Sequence, residues 1–284
     1  MKFHLYEDIN KYIDDVMDYL AAHEIQSNMI ISNCLRAKNG MDTSNWFLGT
    51  IKDSEGELKI ATIMTPPHNL LLYEHYPIND EAVELLAHEM ESIRIPIPGV
   101  LADKSLAARF TDKYTSISGR RIKDKKNLRI YRLDKSKEIP LSSGRMRPAD
   151  HKDLYYLPYW SIGFNQDCGH PVENITNTVE KVKRMLDEKT LFIWEDDVPV
   201  SQAAIGRRTL NGAVVNAVYT PPHYRGKGYA SSCVANLSRH ALESGYKFCS
   251  LFTDLSNPIS NSIYMKMGYQ PVCDYDEYSF AEEA

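Results

Sequence analysis

Residues 214–230 read V-V-N-A-V-Y-T-P-P-H-Y-R-G-K-G-Y-A and combine an apolar run, a basic turn and the start of a helix. The run is rich in β-branched residues, which is typical of a buried strand. Pro221 and Pro222 end that strand, because a proline cannot donate to a ladder and restricts the residue before it. Residues 229–243 then predict a helix. Its apolar positions are Val234, Leu237, Ala241 and Leu242.

The turn Arg225-Gly226-Lys227-Gly228 has the composition of an anion-binding loop. Glycines let backbone N–H groups approach an anion, and the free N–H groups of the helix start point toward it with the positive end of the helix dipole. Arg225 and Lys227 add two formal charges. An ordinary tight turn with solvated cations is the simpler alternative. The agreement between the proline stop, the glycines and the helix favours a phosphate site.

Three known phosphate-binding patterns were compared with this turn. The Walker pattern G-x-x-x-x-G-K-[ST] is absent. The dinucleotide pattern G-x-G-x-x-G is nearly met, but Ser231 stands where the third glycine belongs, which makes a nucleotide-dependent oxidoreductase a minor alternative. The third pattern, R-x-x-G-x-A, is met without a gap by Arg225, Gly228 and Ala230.

At these residues the chain resembles the GNAT acyltransferase superfamily, whose members bind the pyrophosphate of an acyl-coenzyme A in such a loop. A second patch, residues 257–269, reads N-P-I-S-N-S-I-Y-M-K-M-G-Y. It is similar to the family's closing helix, which has an asparagine, then a tyrosine, then a G-F/Y pair that opens the next strand. The resemblance implies a GNAT fold, a mixed-sheet α/β sandwich, and acetyl-CoA as the acyl donor.

The resemblance also implies roles for individual residues. Tyr264 stands where the family's general acid for the leaving thiolate usually stands, although a core aromatic is the alternative. Asn257 would contact the cofactor arm or act as a helix cap. No general base is assigned, because the nearby polar residues Asn216, Glu195 and Asp254 are equally turn residues or caps. The residues predicted to bind the cofactor are Val218, Tyr219, Thr220, Arg225, Gly226, Lys227, Gly228, Tyr229, Ala230 and Asn257.

Two halves of similar element order suggest a tandem duplication. Residues 134–150 are polar, contain Pro140, Pro148 and Gly144, and are predicted to be a linker. We therefore divide the chain into residues 1–139, a degenerate GNAT-like domain without the phosphate loop, and residues 140–284, the catalytic acyl-CoA-binding domain. In the first half, Pro96 and Pro98 are expected to limit residues 95–101 to an edge strand.

Composition places the chain among globular proteins, with 43% hydrophobic and 25% charged residues. The net charge of −5 gives no general attraction to nucleic acid or to an anionic membrane. No secretory signal and no run of about 20 apolar residues is found. The five cysteines form no C-x-x-C pair, which favours reduced thiols over disulfides or a metal site. These observations predict a cytoplasmic protein with no metal cofactor.

Together these features predict an acyl-CoA-dependent N-acyltransferase that moves an acetyl group from acetyl-CoA to a primary amine. The acceptor would be a small molecule or a peptide, with no nucleic acid or membrane partner, and a homodimer is left open. By family analogy, residues 160–170 would line the acceptor pocket. The alternative is a non-catalytic acyl-CoA-binding or regulatory module.

Overall fold

The chain divides into two units that are not continuous in sequence. A computed structural model describes residues 1–281. Of these, residues 1–130, 253–257 and 271–281 form the first unit, and residues 131–252 and 258–270 form the second. The chain crosses from one unit to the other within β6 (Ile122–Leu133). This division differs from the predicted boundary at 139/140, because the last strand of the chain pairs with a strand of the first unit.

The first unit has two helices near its start and two more around its fifth strand. Its strands run in the order β1-β2-β3-β4-β5-β12. Neighbours are antiparallel except β4 and β5, which are parallel. Its elements are β1 (Lys2–Leu5), α1 (Ile9–Ala22), α2 (Asn28–Lys38), β2 (Phe47–Lys52), β3 (Leu58–Met64), β4 (Leu70–Glu74), α3 (Asp80–Ile93), β5 (Gly99–Asp103), α4 (Lys104–Ser118) and most of β12 (Gln270–Phe280).

The strand β5 corrects one expectation from the sequence. Pro96 and Pro98 precede it rather than interrupt it, so the residues from Gly99 onward are free to pair on both sides. β5 lies between β4 and β12, and Gly99 is opposite Ser279. The prediction of an edge strand was wrong for this reason.

The second unit contains residues 214–230, with the glycine-rich turn. Its strands run in the order β7-β8-β9-β10-β11, antiparallel except for the parallel pair β10 and β11. Short 3₁₀ turns at His151–Tyr155 and Pro222–Tyr224 precede α5 and α7. Its elements are β7 (Arg145–Pro148), α5 (Leu157–Asp167), α6 (Ile175–Asp187), β8 (Leu191–Asp196), β9 (Val198–Arg208), β10 (Gly212–Tyr219), α7 (Tyr229–Glu243), β11 (Phe248–Asp254, whose last two residues group with the first unit) and α8 (Pro258–Met267).

The two units repeat one order of elements. Each has a strand, two helices, three antiparallel strands, a helix, a parallel strand and a further helix. The α/β class with a mixed sheet and the tandem arrangement are therefore confirmed. Repetition of a whole topology explains why both halves carry the same alternation of strand and helix patterns in their sequences.

The sheet of the second unit packs helices on both faces. One core cluster joins Ala203, Val215 and Leu251 of the strands to Cys233 and Leu237 of α7. The opposite face packs on α5 and α6. The residues of that second cluster include Ala204, Ile193 and Leu191 of the strands with Leu157, Val182 and Leu186 of the helices. Residues that alternate with the first set along β9, β10 and β11 thus face the α5 side.

Candidate active site

β10 and β11 part midway along their length. Their pairing ends at Val214 opposite Ser250, although β10 continues to Tyr219. The register of β10 with β9 also shifts between Asn216 and Tyr219, and Ala217 has a left-handed φ of 50°. A bulge of this kind redirects a strand and leaves part of its edge unpaired. The second half of β10 therefore presents an open edge on its β11 side, just before the glycine-rich turn.

The turn itself takes the shape that its glycines allow. Gly226 and Gly228 have φ values of 79° and 80°, which L side chains rarely adopt. Gly228 is the N-cap of α7 and has no side chain to cap the helix. Nothing lies within 4 Å of a Cβ built at Gly226, so the turn is open on that side. The sequence prediction of a turn leading directly into a helix is confirmed.

Six consecutive backbone N–H groups in the turn, those of residues 226–231, donate to no acceptor in the described part of the chain. The first helical bond of α7 runs from Ser232 N to Gly228 O at 3.0 Å. A row of unpaired N–H groups at the start of a 15-residue helix is a ready anion site.

The two cations of the turn have different surroundings. Arg225 Nη2 donates to Asp167 Oδ2 of α5 at 2.5 Å, and its Nε donates to Thr220 O at 2.9 Å. Its guanidinium also lies 5.8 Å from the ring centre of Tyr219. Lys227 is exposed and makes no ion pair with any described residue. Lys227 is therefore the cation free to meet a phosphate, whereas Arg225 braces the turn against α5.

Residues predicted to be a linker instead support the turn. Ser142 Oγ donates to Lys227 O at 2.7 Å, and Ser142 N donates to Ser232 Oγ at 2.8 Å. Ser143 Oγ and Tyr229 OH both donate to Asp196 Oδ2, at 2.8 and 2.6 Å. These bonds hold the pKa of the Asp196 carboxyl below its ordinary value. The prediction of a free linker at this point was wrong, since these serines satisfy polar groups of the turn and of α7.

Tyr219 lies against α5 because Gly163 of that helix leaves room for the tyrosine ring. A Cβ built at Gly163 would be 2.4 Å from Tyr219 OH. The Trp160 ring centre is 6.3 Å from that of Tyr219. The structure thus brings the end of β10 and the predicted acceptor segment together on one face of the second unit.

Tyr264 is partly buried on α8 and packs against the core cluster of the α7 face. Its ring makes an edge contact with Tyr269 at 5.9 Å. Burial, with a smaller contribution from the Cys168 thiol, raises the pKa of Tyr264 to about 12. The phenol therefore keeps its proton across the neutral range, as a proton donor must. Both the catalytic interpretation and the core interpretation remain compatible with this position.

The remaining polar candidates have mixed surroundings. Asn257 N donates to Asp254 O at 3.1 Å in the turn before α8, a stretch that groups with the first unit. Its role at the cofactor stays a prediction. Glu195 accepts from Arg147 Nε at 2.9 Å and is therefore not free to act as a base. Val218 and Thr220 lie on either side of Tyr219 at the open end of β10.

Sequence reasoning did not find a buried network under α5. Arg147 donates through Nη1 and Nη2 to Asp153 at 2.7 and 2.8 Å, and Tyr156 OH donates to the same carboxylate at 2.8 Å. Burial would raise the pKa of Asp153, but the bonds from Arg147, Asp150 and Tyr156 hold that pKa below its ordinary value. The ring centre of Tyr156 lies 4.6 Å from that of Trp160. This network fixes the start of α5, and so the wall against which Tyr219 rests.

Comparison with known proteins agrees with this geometry. Residues 156–269 match the sequence model of the Acetyltransferase (GNAT) family. The match runs from the start of α5 to the strand after α8 and includes the glycine-rich turn. These residues therefore form a GNAT acetyltransferase domain, and the match supports acyltransferase activity. No curated protein matches the chain.

Solved structures extend the likeness in fold to the whole chain. An acetyltransferase of the GNAT family from Colwellia psychrerythraea has a TM-score of 0.62 at 13% identity, covering 99% of this chain and 100% of that one. A GCN5-related N-acetyltransferase from Sphaerobacter thermophilus has a TM-score of 0.65 at 12% identity, covering 98% and 95%. A tandem GNAT protein from the clavulanic acid biosynthesis pathway has a TM-score of 0.61 at 12% identity, covering 100% and 99%.

Residues 1–281 contain neither a candidate membrane-spanning helix nor a candidate metal-binding group. No helix there has the length and apolarity that crossing a bilayer requires. No group of three or more His, Cys, Asp or Glu side chains in that range is arranged to hold a metal ion.

Proposed function

We propose that this chain is an acyl-CoA-dependent N-acyltransferase that moves an acetyl group from acetyl-CoA to a primary amine within a ternary complex. The observation that carries the proposal is the row of six unpaired N–H groups at residues 226–231, directly after the open edge of β10. The open strand edge leads directly to the anion site. This arrangement suits a ligand in which a peptide-like arm is joined to a pyrophosphate.

The residues of the second unit fit such a ligand. The N–H groups of Gly226, Lys227, Gly228, Tyr229 and Ala230 would hold the pyrophosphate, and the Lys227 ammonium would add charge. The backbone of Val218, Tyr219 and Thr220 would pair with the amide groups of the pantetheine arm. Arg225 would act indirectly, by holding the turn in its binding conformation.

The reaction requires three contributions from the protein, which are binding of both substrates, stabilisation of the oxyanion and donation of a proton. Acetyl-CoA, when bound, supplies an acetyl group already activated as a thioester. Binding both substrates in one cleft raises their effective concentration. Backbone N–H groups at the open edge of β10 would stabilise the negative charge that develops on the carbonyl oxygen. Tyr264 would donate a proton to the departing thiolate, which its raised pKa allows at neutral pH.

The first unit is proposed to be non-catalytic. Its helix α3 corresponds in order to α7 but starts differently. Asn79 caps it by accepting from Ala82 N at 3.0 Å, and Asp80 and Glu81 occupy its first turn. A capped and acidic helix start repels phosphate. We therefore propose that the second unit alone binds the cofactor. We further propose that the acceptor is a small-molecule or peptide amine and that the protein acts in the cytoplasm.

Calorimetric titration with acetyl-CoA, coenzyme A and NAD in parallel tests the proposal. Saturable binding of both coenzyme A species without binding of NAD is expected, followed by thiol release with members of an amine panel. Binding without turnover of any amine would support the alternative of an acyl-CoA-binding regulatory module. Absence of coenzyme A binding would overturn both.

A further inference from the structure

The helix α5 carries apolar side chains that the core of the second unit does not bury. Of its 11 residues, only Leu157 and Pro158 are buried. Trp160, Ile162 and Phe164 are each half-buried. Within the described part of the second unit, Phe164 packs against neither of the two core clusters. Apolar surface that lies outside a core often marks a place where a ligand or a partner binds.

Phe164 lies on the side of α5 that meets the end of β10. Residues three and four apart on a helix share a face, so Phe164 shares its face with Trp160 and Asp167. The ring centre of Trp160 is 6.3 Å from that of Tyr219, and Asp167 binds Arg225 of the glycine-rich turn. These two contacts lie on either side of Phe164 along the helix. They place its face of α5 toward the open end of β10.

The segment after α5 extends this apolar surface. The ring centre of His170 lies 6.4 Å from that of Phe164. Val172 and Ile175 are 49% and 43% exposed. A lining of aromatic and aliphatic side chains with few polar groups is typical of a small-molecule site. The four rings on this surface, here called the aromatic wall, are those of Trp160, Phe164, His170 and Tyr219.

The carboxylates around the aromatic wall already have partners. Residues 150–187 include α5, α6 and the loop between them, and every Asp and Glu in this range is paired. The pairs are Asp150 with the backbone N–H of Lys152, Asp153 with Arg147, Asp167 with Arg225, Glu173 with Lys181, Glu180 with Lys183 and Asp187 with His151. Glu195 of β8 is also paired, with Arg147. The wall therefore offers an apolar surface without an unpaired carboxylate from residues 150–187.

These surroundings favour some amines over others. An aromatic ring that binds against the wall removes apolar surface from water on both partners, which is favourable. A second ammonium group would lose part of its hydration there without gaining a carboxylate partner, which is costly. The surface thus selects for an apolar body and against additional positive charge.

We propose that the acceptor is a small monoamine that carries an aromatic ring, bound with the ring against the aromatic wall and the amino group toward the open edge of β10. The proposal rests on the proposed N-acyltransferase function and names the substrate class of that site. It sets aside polyamines and lysine-rich peptides, because their further positive charges would meet no unpaired carboxylate along residues 150–187.

Calorimetric titration of the wild-type protein with three amines, with and without coenzyme A, tests the substrate class. 2-Phenylethylamine has an amino group and a ring, ethylamine lacks the ring, and butane-1,4-diamine has a second amino group instead. We expect 2-phenylethylamine to bind at least about tenfold more tightly than either other amine. Similar affinities, no binding of 2-phenylethylamine in either condition, or tighter binding of the diamine would each overturn the proposal. The readout needs no turnover, so it is separate from a failure of acetyl transfer.

Variants of α5 test the contact with the ring. Phe164→Ala should weaken binding of 2-phenylethylamine at least about fivefold, and Phe164→Leu, which keeps an apolar side chain, should weaken it less. Tyr159→Ala is the matched control, because it removes a ring of α5 that is 65% exposed on another side of the helix. The control should leave the affinity unchanged. Equal losses in Phe164→Ala and Tyr159→Ala, or no loss in either, would contradict the proposed contact.

A released carboxylate tests the charge selection. Arg225→Gln leaves Asp167 without its arginine, so the affinity for butane-1,4-diamine relative to 2-phenylethylamine should rise about two- to fivefold. Arg184→Gln is the control. Arg184 is exposed on α6 and makes no ion pair with a described residue, so its loss removes the same charge without freeing a carboxylate. The same ratio of affinities in the two variants would contradict the role of the paired carboxylates.

Analytical ultracentrifugation distinguishes a bound amine from a second copy of the chain on the aromatic wall. We expect the wild type and Phe164→Ala to have the same oligomeric state. A wild-type dimer that Phe164→Ala dissociates would mean that another copy covers this surface, and it would overturn the proposal.

Discussion

Arg225 of the glycine-rich turn donates from Nη2 to Asp167 Oδ2 at the end of α5, over 2.5 Å. The bond joins the proposed cofactor turn to residues 160–170, the segment predicted to line the acceptor pocket. Both side chains are about half exposed, so the pair contributes little to stability. The pair matters for ligand binding, because Asp167 would compete with a phosphate for the Arg225 guanidinium.

Asp167→Asn tests that competition. The change removes a negative charge near the turn and frees Arg225, so we expect the Kd for acetyl-CoA to fall about two- to fivefold at low salt, on the order of the strength of an exposed ion pair. Calorimetric titration of the variant measures the Kd for acetyl-CoA. Asp187→Asn, which removes an exposed carboxylate paired with His151, is the control. Weaker binding by Asp167→Asn would mean that the pair positions Arg225 for the phosphate.

Tyr264→Phe tests the proton donor. Loss of the hydroxyl should lower kcat about a hundredfold, the lower range for a general acid, with an unchanged Kd for acetyl-CoA. Because the pKa of Tyr264 is raised to about 12, its proton is retained well above neutral pH. The wild-type kcat should therefore show no decline attributable to this group below pH 10. A variant with wild-type turnover would leave Tyr264 as a core residue, and Tyr246→Phe serves as the control.

Gly228→Val tests the turn. A branched side chain at a φ of 80° costs at least about 1–2 kcal/mol of conformational energy, and its Cβ would also approach Ser142 Oγ to 2.8 Å. We expect acetyl-CoA binding to weaken at least tenfold. Gly226 has a similar φ, but nothing lies near its Cβ position. Gly226→Ala therefore measures the effect of backbone strain without the effect of crowding. Undiminished affinity in Gly228→Val would contradict the assignment of the turn to the pyrophosphate.

Asp153→Ala tests the network under α5. Removing the carboxylate leaves Arg147 with Glu195 as its only carboxylate partner among the described residues. Breaking a largely buried pair of this kind costs about 3 kcal/mol in the free energy of unfolding. The pKa of Asp153 is lowered by folding, so its contribution is present above the unfolded pKa of about 3.9 and is lost as pH falls through the folded value. Urea unfolding should thus separate wild type and variant at pH 7 and converge at low pH. A constant gap over that range would refute the linkage.

Local signals in the sequence predicted the elements around the turn well. The glycines, the proline stop and the apolar spacing of residues 229–243 each act within a few residues, and α7 occupies that same range. Such features need no knowledge of distant contacts.

Distant contacts explain what the sequence did not predict. The contact between Arg225 and Asp167 joins residues 58 positions apart in the chain, so no local pattern predicts it. The serines of residues 142–143 looked like linker because their acceptors are on other elements. The bulge of β10 includes Ala217, and an alanine gives no local signal for a left-handed φ.

The pairing of β12 with β5 has a consequence for the order of events during synthesis. Residues 271–281 complete the sheet of the first unit, yet they leave the ribosome after all of the second. Until then β5 presents an unpaired edge, which is prone to pair with other chains. The nascent first half is thus exposed to aggregation for as long as the second half takes to be translated.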